Sequence, residues 1–315
     1  MSIDYNLPIG GVDYPRTLQE FDEWFENEEK CLVYIKKLRW PNGFKCPQCS
    51  HADGWQLNTG LIRCGNCRKD ISVLHGSTFH KTRKPLKVWF QAMWYITSQK
   101  SGGSALGLKR ILGLGSYQTA WSWLHKIRHA MVRPERELLC GAVEIDETMI
   151  GGESHGGKRG RGAENKNIVV IAIEVKDPKG FGRVRMKLIE SANSQNLISF
   201  INQNIAKGTE IRTDSWRGYS GLENHGYIHS KINISDSGDP AHVSLPGVHR
   251  IASLLKRWLL GTHQGSASGK HLGYFLDEYT FRFNRRKSVS RGMLFYRLLQ
   301  QAVQIRAVTY KELAA

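Results

Sequence analysis

Apolar positions recur at helical spacing through the first 40 residues and again from 86 to 130, then give way to alternating or unbroken apolar runs between 142 and 214. Thr17-x-x-Glu20 is a capping pattern ahead of Phe21, Trp24 and Phe25, which predicts a first helix. A second starts after Asn27, turns Cys31, Leu32, Tyr34, Ile35 and Leu38 inward, and ends at Trp40-Pro41-Asn42-Gly43, where proline and glycine break the period. Between 81 and 140 three helices satisfy the spacing of Trp89, Phe90, Trp94 and Tyr95, then of Leu106, Leu108, Ile111 and Leu112, then of Trp121, Trp123 and Leu124. Gly113-Leu114-Gly115-Ser116 separates the last two as a turn, giving a helix-turn-helix-like pattern whose final helix suits a major groove.

The texture changes after residue 140. Ala142 to Asp146 reads as a strand ending at Asp146, Asn167 to Glu174 as a long apolar strand, and Gly182 to Ile189 as an alternating third. Helical spacing follows from Ser194 to Ala206, then a fourth strand from Glu210 to Asp214. Three strands, a helix and a strand indicate an α/β domain. The chain thus divides into an acidic helical lead-in (1–40), a cysteine-bearing segment (41–80), a basic helical region (81–138) and an α/β region (139–315).

Charge adds a direction to this outline. The 315 residues carry 45 Lys+Arg against 28 Asp+Glu, a formal +17. Residues 1–30 hold eight acids and two bases, so the remainder stands at +23, and residues 81–140 alone hold eleven Lys/Arg against two Glu. A body of that sign suits a polyanion, nucleic acid first. No run reaches the ~18 apolar residues of a membrane span, and the N-terminus lacks the basic and apolar parts of a signal peptide. The expected location is cytoplasmic and nucleoid-associated.

Four of the six cysteines fall as Cys46-x-x-Cys49 and Cys64-x-x-Cys67. Between the pairs, Trp55-Gln56-Leu57 and Leu61-Ile62-Arg63 flank Asn58-Thr59-Gly60 as a hairpin with a knuckle at each end. Four thiolates close a tetrahedral shell around structural Zn²⁺, and so short a segment has too little core to fold without one. Cys31 and Cys140 read as small apolar residues.

Asp146 and Asp214, each at the end of a strand, could share a hard, oxygen-liganded cation, although strand-end aspartates also cap turns. Lys158, Arg159 and Arg161 lie in a glycine-rich stretch that fits a DNA-gripping hairpin tip or a flexible charged loop. The G-x-x-x-x-G-K-[ST] pattern is absent, so ATP is not implied. Lys126 and Arg128, on the last helix of the basic region, are further candidate DNA contacts.

The phrases Glu144-Ile145-Asp146-Glu147-Thr148 leading to Gly151-Gly152, Thr213-Asp214-Ser215-Trp216-Arg217-Gly218-Tyr219, and Phe281-Arg282-Phe283-Asn284-Arg285-Arg286 resemble the catalytic domain of bacterial insertion-sequence transposases. With Arg39-Trp40-Pro41-Asn42-Gly43-Phe44-Lys45-Cys46, the chain resembles the group that joins an N-terminal zinc ribbon to an RNase-H-like domain with an Asp-Asp-Glu or Asp-Asp-Asn triad. The resemblance implies an RNase-H-like mixed sheet and a transposase that binds terminal inverted repeats in double-stranded DNA. It implies cleavage and strand transfer into target DNA with two Mg²⁺ or Mn²⁺ ions, and a homodimer or larger assembly.

At the third ligand the chain departs from the commonest pattern. In the resembled family that ligand stands seven residues before a Lys-Arg pair, and counting back from Lys256-Arg257 lands on His249. An imidazole there subtracts a negative charge and tilts preference toward Mn²⁺. Glu278 or Glu223 as the ligand, or a degenerate site, stay open. Lys256 is read as a phosphate holder on the His249 face, and Arg257 as a DNA contact. The rival functions are a non-catalytic zinc-ribbon DNA-binding regulator and an RNase-H-like nuclease.

Overall fold

The computed structural model describes residues 7–133, 135–151, 167–176, 180–232, 241–264 and 269–314. These fall into two compact units, one of residues 1–134 together with 287–315, the other of residues 135–286.

In the first unit α1 (Leu18–Trp24) starts at Thr17, whose hydroxyl accepts the Glu20 amide at 3.1 Å, and α2 (Glu28–Arg39) at Asn27, whose carbonyl oxygen accepts the Lys30 amide at 3.0 Å. The four cysteines lie on a small antiparallel sheet of β1 (Gly54–Gln56), β2 (Ile62–Cys64) and β3 (Asp70–Ile71). Three helices follow, α3 (Leu86–Ser98), α4 (Ala105–Leu112) and α5 (Tyr117–His129), as the spacing predicts. Gly113 closes α4 at φ 60°, a conformation costly for any residue with a Cβ. Part of the N-terminal acidity is structural: the Glu28 carboxylate accepts the Leu86 amide at 2.8 Å, satisfying a donor at the start of α3, where Pro85 has no side-chain acceptor.

The second unit is built on a five-stranded sheet of β4 (Ala142–Ile150), β5 (Asn167–Val175), β6 (Phe181–Ile189), β7 (Glu210–Asp214) and β8 (Ile228–Ile232), in the order β6-β5-β4-β7-β8. Strands β4, β5 and β6 are antiparallel neighbours, whereas β7 runs parallel to both β4 and β8. On β5, Ile168, Val170 and Ala172 face α6 (Ser194–Asn204), while Val169, Ile171 and Ile173 face α7 (Pro246–His263) and α8 (Leu272–Asn284). Both faces of the sheet are therefore covered, which is why β5 reads as an unbroken apolar run. Three antiparallel strands flanked by two parallel ones, in the order 3-2-1-4-5, form the mixed α/β sheet of the RNase-H-like fold.

Two features depart from the sequence reading. Strand β8 carries no apolar alternation, because as an edge strand it exposes Ile228 and Lys231. Residues 287–315, assigned above to the α/β region, pack with the first unit as α9 (Arg291–Ala302) and α10 (Tyr310–Ala314). The cause is aromatic: Phe295 lies 5.4, 5.8 and 5.5 Å from the rings of Phe21, Phe90 and Trp94. The Thr78 amide also donates to the Ala302 carbonyl at 2.9 Å.

Candidate active site and zinc cluster

The β4–β7 ladder pairs Ala142, Val143 and Glu144 with Glu210, Ile211 and Arg212. Extending that register by two residues sets Asp146 level with Asp214 on the adjacent strand. Parallel neighbours in register point to the same face, and the alternation of β4 and β7 makes it the face covered by α7. Asp146 is not at a strand end, as the sequence suggested: β4 continues four residues further because it stays paired with β5 to Ile150↔Asn167. Asp214 does end β7, and its Oδ1 accepts the Trp216 amide at 3.0 Å.

Helix α7 presents Val248, Ile251, Leu255 and Leu259 to the core and His249, Ser253 and Lys256 one stripe over. His249 Nε2 stands 3.7 Å from Asp146 Oδ2. Both line a cavity of about 440 Å³ with Glu147, Thr148 and Lys256, and Lys256 is exposed. Two residues before Asp146, the buried Glu144 accepts the Val248 amide at 2.9 Å, which fixes the start of α7 against β4. Burial raises the Glu144 carboxyl, and the Val248 and Gly247 amides pull it back.

Glu147, next to Asp146 on β4, is a further acid at the cavity. Tyr219 donates its hydroxyl to Glu147 Oε1. Burial first, then Glu147, Asp146 and Asp214, hold that phenol well above its ordinary range. Asp146 and Asp214 thus both act on that phenol. Their carboxylate oxygens and the His249 nitrogen form a donor set that fits Mg²⁺ or, better, Mn²⁺. Among the described residues, Cys46, Cys49, Cys64 and Cys67 bring their ligand atoms within 4.8 Å of one another.

The two cysteine knuckles repeat one geometry. The Ser50 amide donates to the Cys46 carbonyl at 2.9 Å and the Arg68 amide to the Cys64 carbonyl at 3.1 Å, while Ser50 and Arg68 both take left-handed backbone, φ 61° and 58°. The sulfurs of Cys46 and Cys67 are 3.7 Å apart and those of Cys49 and Cys64 3.6 Å. Zn–S bonds of about 2.3 Å in a tetrahedron separate sulfurs by about 3.8 Å, so the cluster fits zinc. The His51 amide leads in holding Cys49 down at about 6.

Against known families, residues 138–284 match the ISXO2-like transposase domain and residues 26–70 the transposase zinc-ribbon domain. The chain belongs to the zinc-ribbon insertion-sequence transposases. No curated protein matches it. Among solved structures it is similar to the catalytic core domain of BIV integrase, 16% identical over 49% of this chain and 90% of that one, at a TM-score of 0.33.

The remaining sequence candidates of the transposase divide by position. Arg128 is 2% exposed, so it is a core residue and not a DNA contact: its position on α5 faces inward with Leu124 and Ile127. Lys126 is half-buried on α5, and Arg257 is exposed on α7. Lys158, Arg159 and Arg161 lie outside the described residues. Glu278 is fully buried and paired with Arg282 at 2.8 Å, and Glu223 stands 3.7 Å from His229, so neither lines the Asp146 cavity. Sequence reasoning missed the parts of Glu144, Glu147 and Tyr219. Period two marks Glu144 as sharing the face of Asp146, the one signal that could have found it.

No helix among the described residues is long and apolar enough to cross a membrane.

Proposed function

We propose that this transposase binds the terminal inverted repeats of an insertion sequence and catalyses metal-dependent DNA cleavage and strand transfer. The observation that carries the reading is the alignment of Asp146 with Asp214 on neighbouring strands, with His249 3.7 Å from Asp146. Asp146, Asp214 and His249 would hold the catalytic Mg²⁺ or Mn²⁺, which when bound supplies Lewis-acid polarisation and charge neutralisation at the scissile phosphate. Lys256, on the same cavity wall, holds a non-bridging phosphate oxygen and orients the phosphodiester for in-line attack. Glu144 keeps the first turn of α7, and with it His249, in register with β4.

In cleavage the oxygen of water bonds to phosphorus, the bond to the 3′ oxygen breaks, and a proton ends on that oxygen. The freed 3′-hydroxyl oxygen then bonds to the phosphorus of a target phosphodiester as that phosphorus loses its bond to the target 3′ oxygen, which ends with the proton, and no covalent protein–DNA intermediate is required. The zinc ribbon and the helices of residues 81–138 recognise the repeats, with zinc on Cys46, Cys49, Cys64 and Cys67. Joining two element ends calls for a dimer or larger assembly on DNA.

The test is cleavage of a labelled duplex carrying the repeat that flanks the gene, in Mg²⁺ and in Mn²⁺, by wild type, Asp146→Asn, Asp214→Asn and His249→Ala. Nicking at the repeat tip, lost in all three variants, is the expected result. Cleavage that survives His249→Ala would remove His249 from the ligand set, and binding without cleavage in either metal would turn the reading to a DNA-binding regulator.

A further inference from the structure

We propose that a basic cavity in the first unit, between the loop of residues 78–84 and α5, binds the phosphodiester backbone of DNA. The inference rests on the DNA-binding reading above and adds a location and a ligand group to it. The cavity measures about 390 Å³, within the range of about 300–1,000 Å³ typical of ligand sites. Lys81, Arg83 and Lys84 enter it from the loop and Lys126 from α5, and no carboxylate lines it.

The walls are preorganised. Thr82 accepts the Trp89 indole N–H at 2.9 Å and the Lys84 amide at 3.2 Å on one hydroxyl oxygen, and its own amide donates to Phe79 at 3.1 Å. Trp89 stacks on Trp123 with ring centroids 3.7 Å apart, so the floor and the loop are tied together. On the α5 side Gln118, Ser122 and Lys126 stand four residues apart on one helix face. Lys81 holds a left-handed backbone, φ 54°, which side chains with a Cβ adopt at a cost and which gathers at functional loops. Burial lowers the Lys126 ammonium, an energetic debt that a bound anion removes.

The number of cations selects the ligand. A single phosphate carries at most two negative charges, whereas Lys81, Arg83, Lys84 and Lys126 supply four positive ones. A chain of repeating phosphates matches such a row, and residues 81–140 around the cavity carry a net +9. Arg128, the other basic residue on this helix considered as a contact, is buried away from solvent, so the backbone contact of α5 falls to Lys126.

The experiment is the salt dependence of binding of a labelled duplex by the full, zinc-loaded chain. The cavity triple Lys81→Ala, Arg83→Ala and Lys84→Ala is compared with wild type and with Lys176→Ala, Lys187→Ala and Lys231→Ala, which remove the same charge from the second unit. Each lost phosphate contact lowers the slope of log K against log salt by about 0.9, so the cavity triple flattens it by about 2 to 3 and the comparison triple by less than about 1. Lys126→Met, a single change that reports even if the triple perturbs the loop, flattens it by about 0.9. A cavity triple with the wild-type slope, or with the slope of the comparison triple, overturns the proposal. Displacement of duplex by submillimolar inorganic phosphate or a nucleoside monophosphate would also overturn it, assigning the cavity to a free anion. If wild type binds duplex and only the slope prediction fails, the transposase reading stands; if wild type binds no duplex, both fall.

Discussion

The buried Glu144 carboxylate accepts the Val248 amide at 2.9 Å, so the strand that carries Asp146 also anchors the helix that carries His249. A Cβ on Gly247 would come within 2.8 Å of the same carboxylate oxygen, so the glycine is what lets the helix start approach the strand this closely. Glu144→Ala leaves the first-turn amides of α7 buried without an acceptor and is expected to cost about 2–4 kcal/mol. Glu144→Gln, which keeps an acceptor oxygen, is expected to cost less than half of that. Denaturant unfolding of both variants measures the difference, and equal losses would show that the anchor is packing alone.

The identity of the third ligand sets metal preference. His249→Glu restores a carboxylate and a negative charge facing Asp146, so the ratio of activity in Mg²⁺ to that in Mn²⁺ should rise by about tenfold or more. Cleavage rates in each metal give the ratio directly. An unchanged ratio would mean that residue 249 does not touch the ion.

Zinc is expected at one ion per chain, held by Cys46, Cys49, Cys64 and Cys67. Cys64→Ser, or a strong chelator, should release it and unfold the ribbon, because residues 41–71 bury little beyond Ile62, Ile71, Cys46 and Cys64, with Phe44, Cys49 and Cys67 half-buried. Metal analysis paired with limited proteolysis of residues 41–71 checks both halves of the statement; a ribbon that stays protected after metal loss would contradict it.

Burial pushes the Asp277 carboxyl from 3.8 up to about 7, with Arg136 pulling part of the way back. Between those values the folded chain keeps a proton that the unfolded chain releases, so stability falls as pH rises through the window and levels off above about 7. Asp277→Asn should flatten that slope and raise stability at pH 8 by the order of 1–2 kcal/mol. Unfolding curves of the variant and wild type at several pH values from 4 to 8 decide it; parallel curves would assign the slope to other groups.

The helix starts at Thr17 and Asn27 were legible because one local side-chain oxygen decides each. The cysteine knuckles and the strands carrying Asp146 and Asp214 were legible for similar reasons, since spacing and apolar runs are local signals. What escaped was set by tertiary partners. Residues 287–315 show ordinary helical spacing, and nothing in it tells that Phe295 belongs with Phe21 and Trp94 rather than with the sheet. Arg128 reads as a surface cation until the helices around it close over it, and β8 has no pattern of its own because its place follows from pairing with β7. His249 was reached through the family resemblance, by counting seven residues back from Lys256, and it stands 3.7 Å from Asp146.

The path of the chain also sets an order of construction. Phe295 arrives at the aromatic core of Phe21, Phe90 and Trp94 only after the whole of 135–286 has been made. On a ribosome the sheet-bearing unit is complete as one continuous stretch, whereas the half that emerged earlier waits for α9 with those rings uncovered. The usual order of co-translational folding is reversed here: the interior segment can settle first, and the two outer segments close last.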